Sequence, residues 1–195
     1  MPDSLPALLQ HASLSEPLLL AAPAVLIGLS VLFYLFRNPL RVWRQECQIA
    51  WTIRRMGARA LHDIRVPDGM GGEVVIDHLL LAADAILIIG VKRFEGMIFG
   101  SGRTDEWTQV INTRSYRFPN PDQYLQRQIG AIRVLVPKVA VKGLHLFTHH
   151  AVFPRGKPPN VLLLEDLRQQ PRRPRLKEIP GELRSAWEAL TASLR

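Results

Sequence analysis

From Pro17 to Phe36 the chain carries no charged side chain, and only Pro17, Pro23, Gly28 and Ser30 interrupt the apolar run. Twenty such residues suffice to cross a bilayer as a helix. Beyond the run, Val42, Glu46, Ile49, Ile53 and Met56 recur at alternating spacings of four and three, which predicts an amphipathic helix ending near Gly57. Glu46 sits on the apolar stripe of that helix, an unusual place for a carboxylate without a partner. The period then drops to two. Ala60–Val66 reads as a strand, followed by a turn through Pro67-Asp68-Gly69-Met70-Gly71-Gly72. Glu73–Leu81 and Ala85–Lys92 form an antiparallel hairpin about Ala82-Ala83-Asp84. Alternation puts Val75, Asp77, Leu79 and Leu81 on one face, with Asp77 near Ile89 or Gly90 and close to Lys92.

Trp107–Ile111 and Ser115–Phe118 predict a second hairpin around Asn112-Thr113-Arg114. A helix opens at Asn120 as N-cap, with Pro121 at N1 and Gln123 at N3 in a capping-box arrangement, and Leu125, Ile129, Ile132 and Val136 are its buried stripe. Gly143–Phe153 and Val161–Leu164 read as strands joined by the loop Pro154–Asn160. A proline- and arginine-rich connector follows over Gln169–Lys177, then a last helix over Gly181–Leu194. The expected organisation is a tail (1–16), an anchor (17–36), a domain over 44–150 and a C-terminal strand, basic connector and helix over 151–195.

Charge orients the anchor. Asp3 and Glu16 precede the apolar run, whereas Arg37, Arg41 and Arg44 follow it, so the positive-inside rule places residues 37–195 in the cytoplasm. A cleavable leader would want a basic stretch before the run and small residues after it, where Arg37-Asn38-Pro39 stands instead. The expectation is a single-pass protein of a bacterial inner membrane. Hydrophobic residues make up 47% of the chain, enough for a packed core and against wholesale disorder. The single cysteine, Cys47, excludes an intrachain disulfide framework and any CxxC zinc site. Twenty-five Lys and Arg against seventeen Asp and Glu give +8, which favours anionic partners such as nucleic acid or lipid headgroups.

A carboxylate on the first helix, an aspartate in the second strand and a lysine ending the third suggest a metal-dependent phosphodiesterase centre. Mg²⁺ takes oxygen ligands from one or two carboxylates, and a nearby lysine stabilises developing negative charge. The segments Gly72-Glu73-Val74-Val75-Ile76-Asp77-His78-Leu79, Ile88-Ile89-Gly90-Val91-Lys92, Gly96-Met97-Ile98-Phe99-Gly100, Trp107 and Asn120-Pro121-Asp122-Gln123 resemble the NERD, or nuclease-related, domain. That family is a branch of the PD-(D/E)xK nuclease-like superfamily. The resemblance covers roughly residues 44–150 and implies an α/β fold with a mixed central sheet flanked by helices, in α-β-β-β-α-β order. It also implies that Glu46 is the first-helix acid, Asp77 the metal-binding aspartate, Lys92 the signature lysine and Gln123 the polar residue opening the second helix. Where the family pattern has a glutamate two residues before the lysine, this chain has Gly90. Asp77, Glu46 and the carbonyl of Val91 are then the candidate ligands for Mg²⁺ or Mn²⁺, with Glu95 or Glu73 as conceivable substitutes that more naturally face solvent.

Other residues have structural readings beside the functional ones. His145, His149 and His150 form an apparent cluster, yet residues 145 and 149 of one strand lie about 13 Å apart and cannot share an ion. His78 reads as a packed or surface histidine. Trp107, Tyr116 and Phe118 could stack on bases, but aromatic residues in hairpins usually pack across strands. Arg172, Arg173, Arg175 and Lys177 could contact phosphates or anionic lipid. The functional expectation is a membrane-anchored nuclease-related protein that binds nucleic acid, with a metal site made degenerate by Gly90. An active Mg²⁺-dependent phosphodiester hydrolase and a noncatalytic membrane scaffold are the alternatives.

Overall fold

A computed structural model describes residues 26, 30, 31, 33, 34, 40, 43 and 44, and every residue from 46 onward except 103, 148, 149, 170–172 and 195; of 168 and 169 only the backbone is described. The chain divides into two compact units, Met1–Gln48 and Ile49–Arg195. In the first, the described residues are helical. Most of the expected anchor, and all of the expected tail, lie outside the described residues; no helix among the described residues is long and apolar enough to cross a membrane.

The second unit opens with the end of a helix, α1, at residues 49–56. It continues with β1 (Arg59–Pro67), β2 (Glu73–Leu81), β3 (Ile86–Lys92), β4 (Gly96–Phe99), β5 (Glu106–Ile111) and β6 (Arg114–Pro119). Then come α2 (Pro121–Leu135), β7 (Val141–Phe147), β8 (Ala151–Val152), β9 (Val161–Leu163) and, after two short 3-10 turns, α3 (Gly181–Ser193). A five-stranded sheet runs β1-β2-β3-β7-β9, antiparallel through β3 and parallel beyond it. A four-stranded sheet runs β6-β5-β4-β8. The α-β-β-β-α-β order is therefore present, with the β4–β6 meander inserted before α2. The C-terminal strands and helix belong to the same unit.

Helices cover both faces of the larger sheet. On one, Leu125, Ile129 and Ile132 of α2 and Leu183, Trp187 and Leu190 of α3 pack on Leu79, Leu81, Ile86 and Ile88. On the other, Ile49 and Ile53 of α1 pack on Leu80, Leu87, Ile89 and Leu146. Removing a side chain such as Ile53 from water contributes about 1.5–3 kcal/mol, which is why an apolar stripe at helical spacing finds the sheet. Gly57 follows α1 because a Cβ there would stand 2.9 Å from the Cβ of Leu80. A third cluster, Ile98, Trp107, Phe147, Ala151 and Val161, draws residues from both sheets.

Four sequence expectations are corrected. Val75 does not share a face with Leu79 and Leu81: Val75 is 43% exposed, while Ile76 is fully buried beside them. The pleat changes phase opposite Asp63, whose φ of +50° interrupts β1 between the pairs His62↔His78 and Ile64↔Ile76. Gly143–Phe153 is not one strand; β7 ends at Phe147 and β8 joins the other sheet. Gly96–Phe99, which the period-two pattern left without a strand, is a strand held between β5 and β8. The capping box at α2 does not close. The Asn120 side chain accepts from the Asp122 N–H at 2.9 Å, but Gln123 reaches Asp105 and the Asn120 N–H donates to the Asp105 carbonyl.

Candidate functional site

The two central parallel strands carry Gly90, Val91 and Lys92 at the end of β3 and His145 on β7. Gly90 and His145 are register partners. Above them sits the N-terminus of α2, placed there because the buried side chain of Asn120 ties the helix start to the preceding loop. Its Nδ2 donates to the carbonyls of Thr104 at 2.7 Å and Ser101 at 3.3 Å. Further along α2, Gln128 donates to the Val75 carbonyl at 2.5 Å, so the helix is stitched to β2 as well. Gly143 lets α2 come down on β7, since a Cβ at that position would meet Leu125 and Ile129 at 2.7–2.9 Å.

This docking brings Asp122, in the first turn of α2, onto His145. His145 Nε2 lies 2.9 Å from Asp122 Oδ1, and Asn160 Nδ2 donates to the same oxygen. The positive end of the helix favours a carboxylate there. An ionised carboxylate only accepts, so Nε2 carries the proton and Nδ1 presents a lone pair. His145 is 2% exposed, and its Nδ1 is the buried side-chain atom without a hydrogen-bond partner among the described residues. Burial lowers the His145 pKa; Asp122 pulls it up and Lys92 pushes it further down, with a net lowering that keeps the ring neutral. A Cβ added to Gly90 would stand 3.6 Å from that Nδ1 and 3.9 Å from Lys92 Cε, both ordinary contacts. The position a side chain would take from Gly90 is thus bordered by the lysine and by the imidazole nitrogen that has no partner among the described residues.

The remaining sequence candidates fall as follows. Asp77 is half-buried on β2, one residue before His78, at which the pairing of β2 with β3 ends opposite Ile89. No ion pair joins it to Lys92 among the described residues. Glu46 lies in the first unit, half-buried on a helical segment. The Val91 side chain packs into the α1 side of the sheet. Gln123 is exposed and bonded to Asp105 at 3.2 Å, so Asp122, its neighbour, is the residue of this turn that faces the sheet. Glu73 and Glu95 are exposed. Among the described residues no group of three or more His, Cys, Asp or Glu converges on one point. Around Gly90 the bordering side-chain atoms are His145 Nδ1 and Lys92 Cε, a single donor beside a cationic chain, which is sparse for a divalent ion.

His150 is exposed and His149 lies outside the described residues. His78 is packed: its Nδ1 is 2.7 Å from that of His62 across the strands. Burial, then His62, lowers its pKa. Trp107 and Phe118 form a ring cluster with Phe94, Phe147 and Phe153, and Trp107 donates to the Ser101 carbonyl at 3.1 Å; Tyr116 remains exposed. In the basic connector, Arg172 lies outside the described residues. Arg173 is tied down, donating to the carbonyls of Gly57 at 3.1 Å and Ala58 at 2.8 Å. Arg175 and Lys177 are exposed. Sequence reasoning missed Asp122 and Asn160 as partners of His145; an acid in the first turn of a helix capped by Asn120 was the available signal for the former.

A mixed sheet with helices on both faces, in this order and with Asp77 and Lys92 on adjacent strands, defines a nuclease-like α+β domain of the PD-(D/E)xK type. The chain belongs to the NERD family of nuclease-related domains, whose pattern matches residues 41–153. It is also similar to an uncharacterized protein of Bacillus anthracis, with 30% identity over 89 residues, 44% of this chain and 42% of that protein. The chain thus spans less than half the length of that relative. No solved structure matches.

Proposed function

We propose that this chain is a membrane-tethered, nucleic-acid-binding protein built on a nuclease scaffold, in which Mg²⁺-dependent phosphodiester cleavage is weakened by the loss of one carboxylate. The observation that carries this reading is Gly90, standing where the family pattern has glutamate while Lys92 and the space beside it are kept. Asp77 and the Val91 carbonyl are the residues of this unit that would hold a divalent ion, which supplies an activated water and neutralises phosphate charge. Lys92 would stabilise negative charge building on the phosphodiester. The net charge of +8 and the exposed Arg175 and Lys177 suit a polyanion. The uncharged run of residues 17–36 would supply the tether, with residues 37–195 on the cytoplasmic side.

Fluorescence anisotropy of the full chain with labelled DNA and RNA, at stepped salt, tests the binding. Affinity should fall steeply as salt rises, since each phosphate contact releases counterions. Affinity that ignores salt, or its absence at low salt, would return the scaffold reading. Incubating the same substrates with Mg²⁺ or Mn²⁺, beside Lys92→Ala, tests cleavage. Efficient Mg²⁺-dependent cutting lost in that variant would show a fully active hydrolase and overturn the weakened-site reading. A reporter fused after Arg195 should behave as cytoplasmic, and a signal from the opposite side would remove the assigned orientation.

A further inference from the structure

We propose that the outward face of α1, where Trp51 is flanked by Arg54 and Arg55, is a docking surface for an anionic lipid headgroup layer. The proposal rests on the reading above only for the tether that brings this face near a bilayer. Three observations carry it. Ile49 and Ile53 are buried against the larger sheet, whereas Trp51, on the other side of the same helix, is 61% exposed and belongs to no buried cluster among the described residues. Arg54 and Arg55, three and four residues on, share its side of the helix and are exposed, and the Arg55 guanidinium lies 4.6 Å from the centre of the indole ring. Residues 37–59 hold six arginines and one acid, Glu46, so the whole approach to the domain is cationic.

The chemistry of this face fits headgroups. Indole prefers the boundary between acyl chain and water because its ring is apolar and its N–H polar, and arginine lays its stem along apolar surface while the guanidinium meets phosphate. Charge then selects anionic over zwitterionic lipid, since each basic residue close to an anionic surface strengthens partitioning about fivefold. The first unit carries the same residue types, for Leu40, Trp43 and Arg44 are helical and exposed, Trp43 by 64%. The uncharged run ends at Phe36, fifteen residues before Trp51, a reach of about 50 Å at full extension. A tether that short makes the contact intramolecular, so a weak affinity suffices. Docking through α1 also decides which side of the larger sheet turns to the membrane, because α1 covers one face and α2 and α3 the other.

The test uses the full chain in phosphatidylcholine vesicles with and without phosphatidylglycerol, and isolates the fluorescence of Trp51 as the difference between the unmodified chain and Trp51→Phe. Phosphatidylglycerol should shield Trp51 from acrylamide and expose it to quenching by lipid spin-labelled at the headgroup. Arg54→Gln and Arg55→Gln should each lower the ratio of shielded to open Trp51 by about fivefold. Trp51 equally open to acrylamide in both kinds of vesicle would overturn the proposal, as would full shielding retained when both arginines are replaced. Shielding by single-stranded DNA added to the chain in neutral vesicles, with none from phosphatidylglycerol, would assign the face to nucleic acid and overturn it too. Flotation with neutral vesicles reads the tether by itself. A chain that floats while Trp51 ignores phosphatidylglycerol loses this surface and keeps the tether. A chain that does not float with neutral vesicles, yet whose Trp51 is shielded by added phosphatidylglycerol vesicles, loses the tether and keeps the surface.

Discussion

Gly90 and His145 face each other across the parallel pair β3 and β7, the glycine supplying the space and the histidine a buried nitrogen 3.6 Å from where a side chain would begin. The contact arises because Gly143, two residues before His145, lets α2 approach and deliver Asp122 to the far side of the ring.

Gly90→Glu should restore the oxygen ligand. The new Cβ meets only ordinary contacts, so the backbone need not move, and the neighbouring Lys92 lessens the cost of the added charge. Calorimetry should show Mg²⁺ affinity rising about tenfold or more, as expected when a hard ion gains a carboxylate. A folded variant without that gain would place the metal-binding end of the domain elsewhere.

Gly143→Ala should loosen the joint between α2 and β7. A methyl group 2.7–2.9 Å from Leu125 and Ile129 forces the helix outward. Overpacking of this kind costs about 1–3 kcal/mol. Urea denaturation should report the loss, and the ¹⁵N spectrum should show the His145 Nε2 proton bond to Asp122 weakened.

Arg173→Ala should lower stability without touching nucleic-acid affinity. Its guanidinium is committed to the carbonyls of Gly57 and Ala58, and losing such bonds costs about 1–3 kcal/mol. Lys177→Ala should do the reverse, leaving the urea midpoint unchanged and flattening the salt dependence of binding by about one unit of slope.

Stability should decline as the solution is acidified below neutrality. His78 and His145 both have pKa values lowered by burial in the folded protein, so between the folded values and the unfolded value of 6.5 the unfolded chain binds more protons. The stabilisation is complete above 6.5 and is lost as pH falls toward the folded values. Around His78 the groups concerned are His62, Asp77, Asp63 and Arg93; around His145 they are Asp122 and Lys92. Urea midpoints at about pH 7.5 and 5.5 should differ in that direction.

Local pattern carried much of the architecture. Period-two runs marked β1, β2, β3, β5 and β6 to within a residue or two, and Asn120-Pro121 marked the start of α2, because alternation, turn residues and caps act over a few bonds. The α1 stripe of Ile49 and Ile53 and the α2 stripe of Leu125, Ile129 and Ile132 are buried as their spacing demands. The family itself was legible in the same way, from segments around Asp77, Gly90 and Lys92 that resemble its pattern. Packing between distant segments was not. The continuous apolar stretch from Gly143 to Phe153 gives no sign of where the chain leaves one sheet for the other. The phase change opposite Asp63 depends on a single left-handed residue. Arg173 finds its carbonyls more than a hundred residues away. Above all, the sequence matches His145 only with His149 and His150 along its own strand. Its partners are Asp122 on a helix and Gly90 on the next strand, and they meet because a helix crossing is set by which side chains are small enough to let two backbones approach, a property of pairs of elements that no one-dimensional period records.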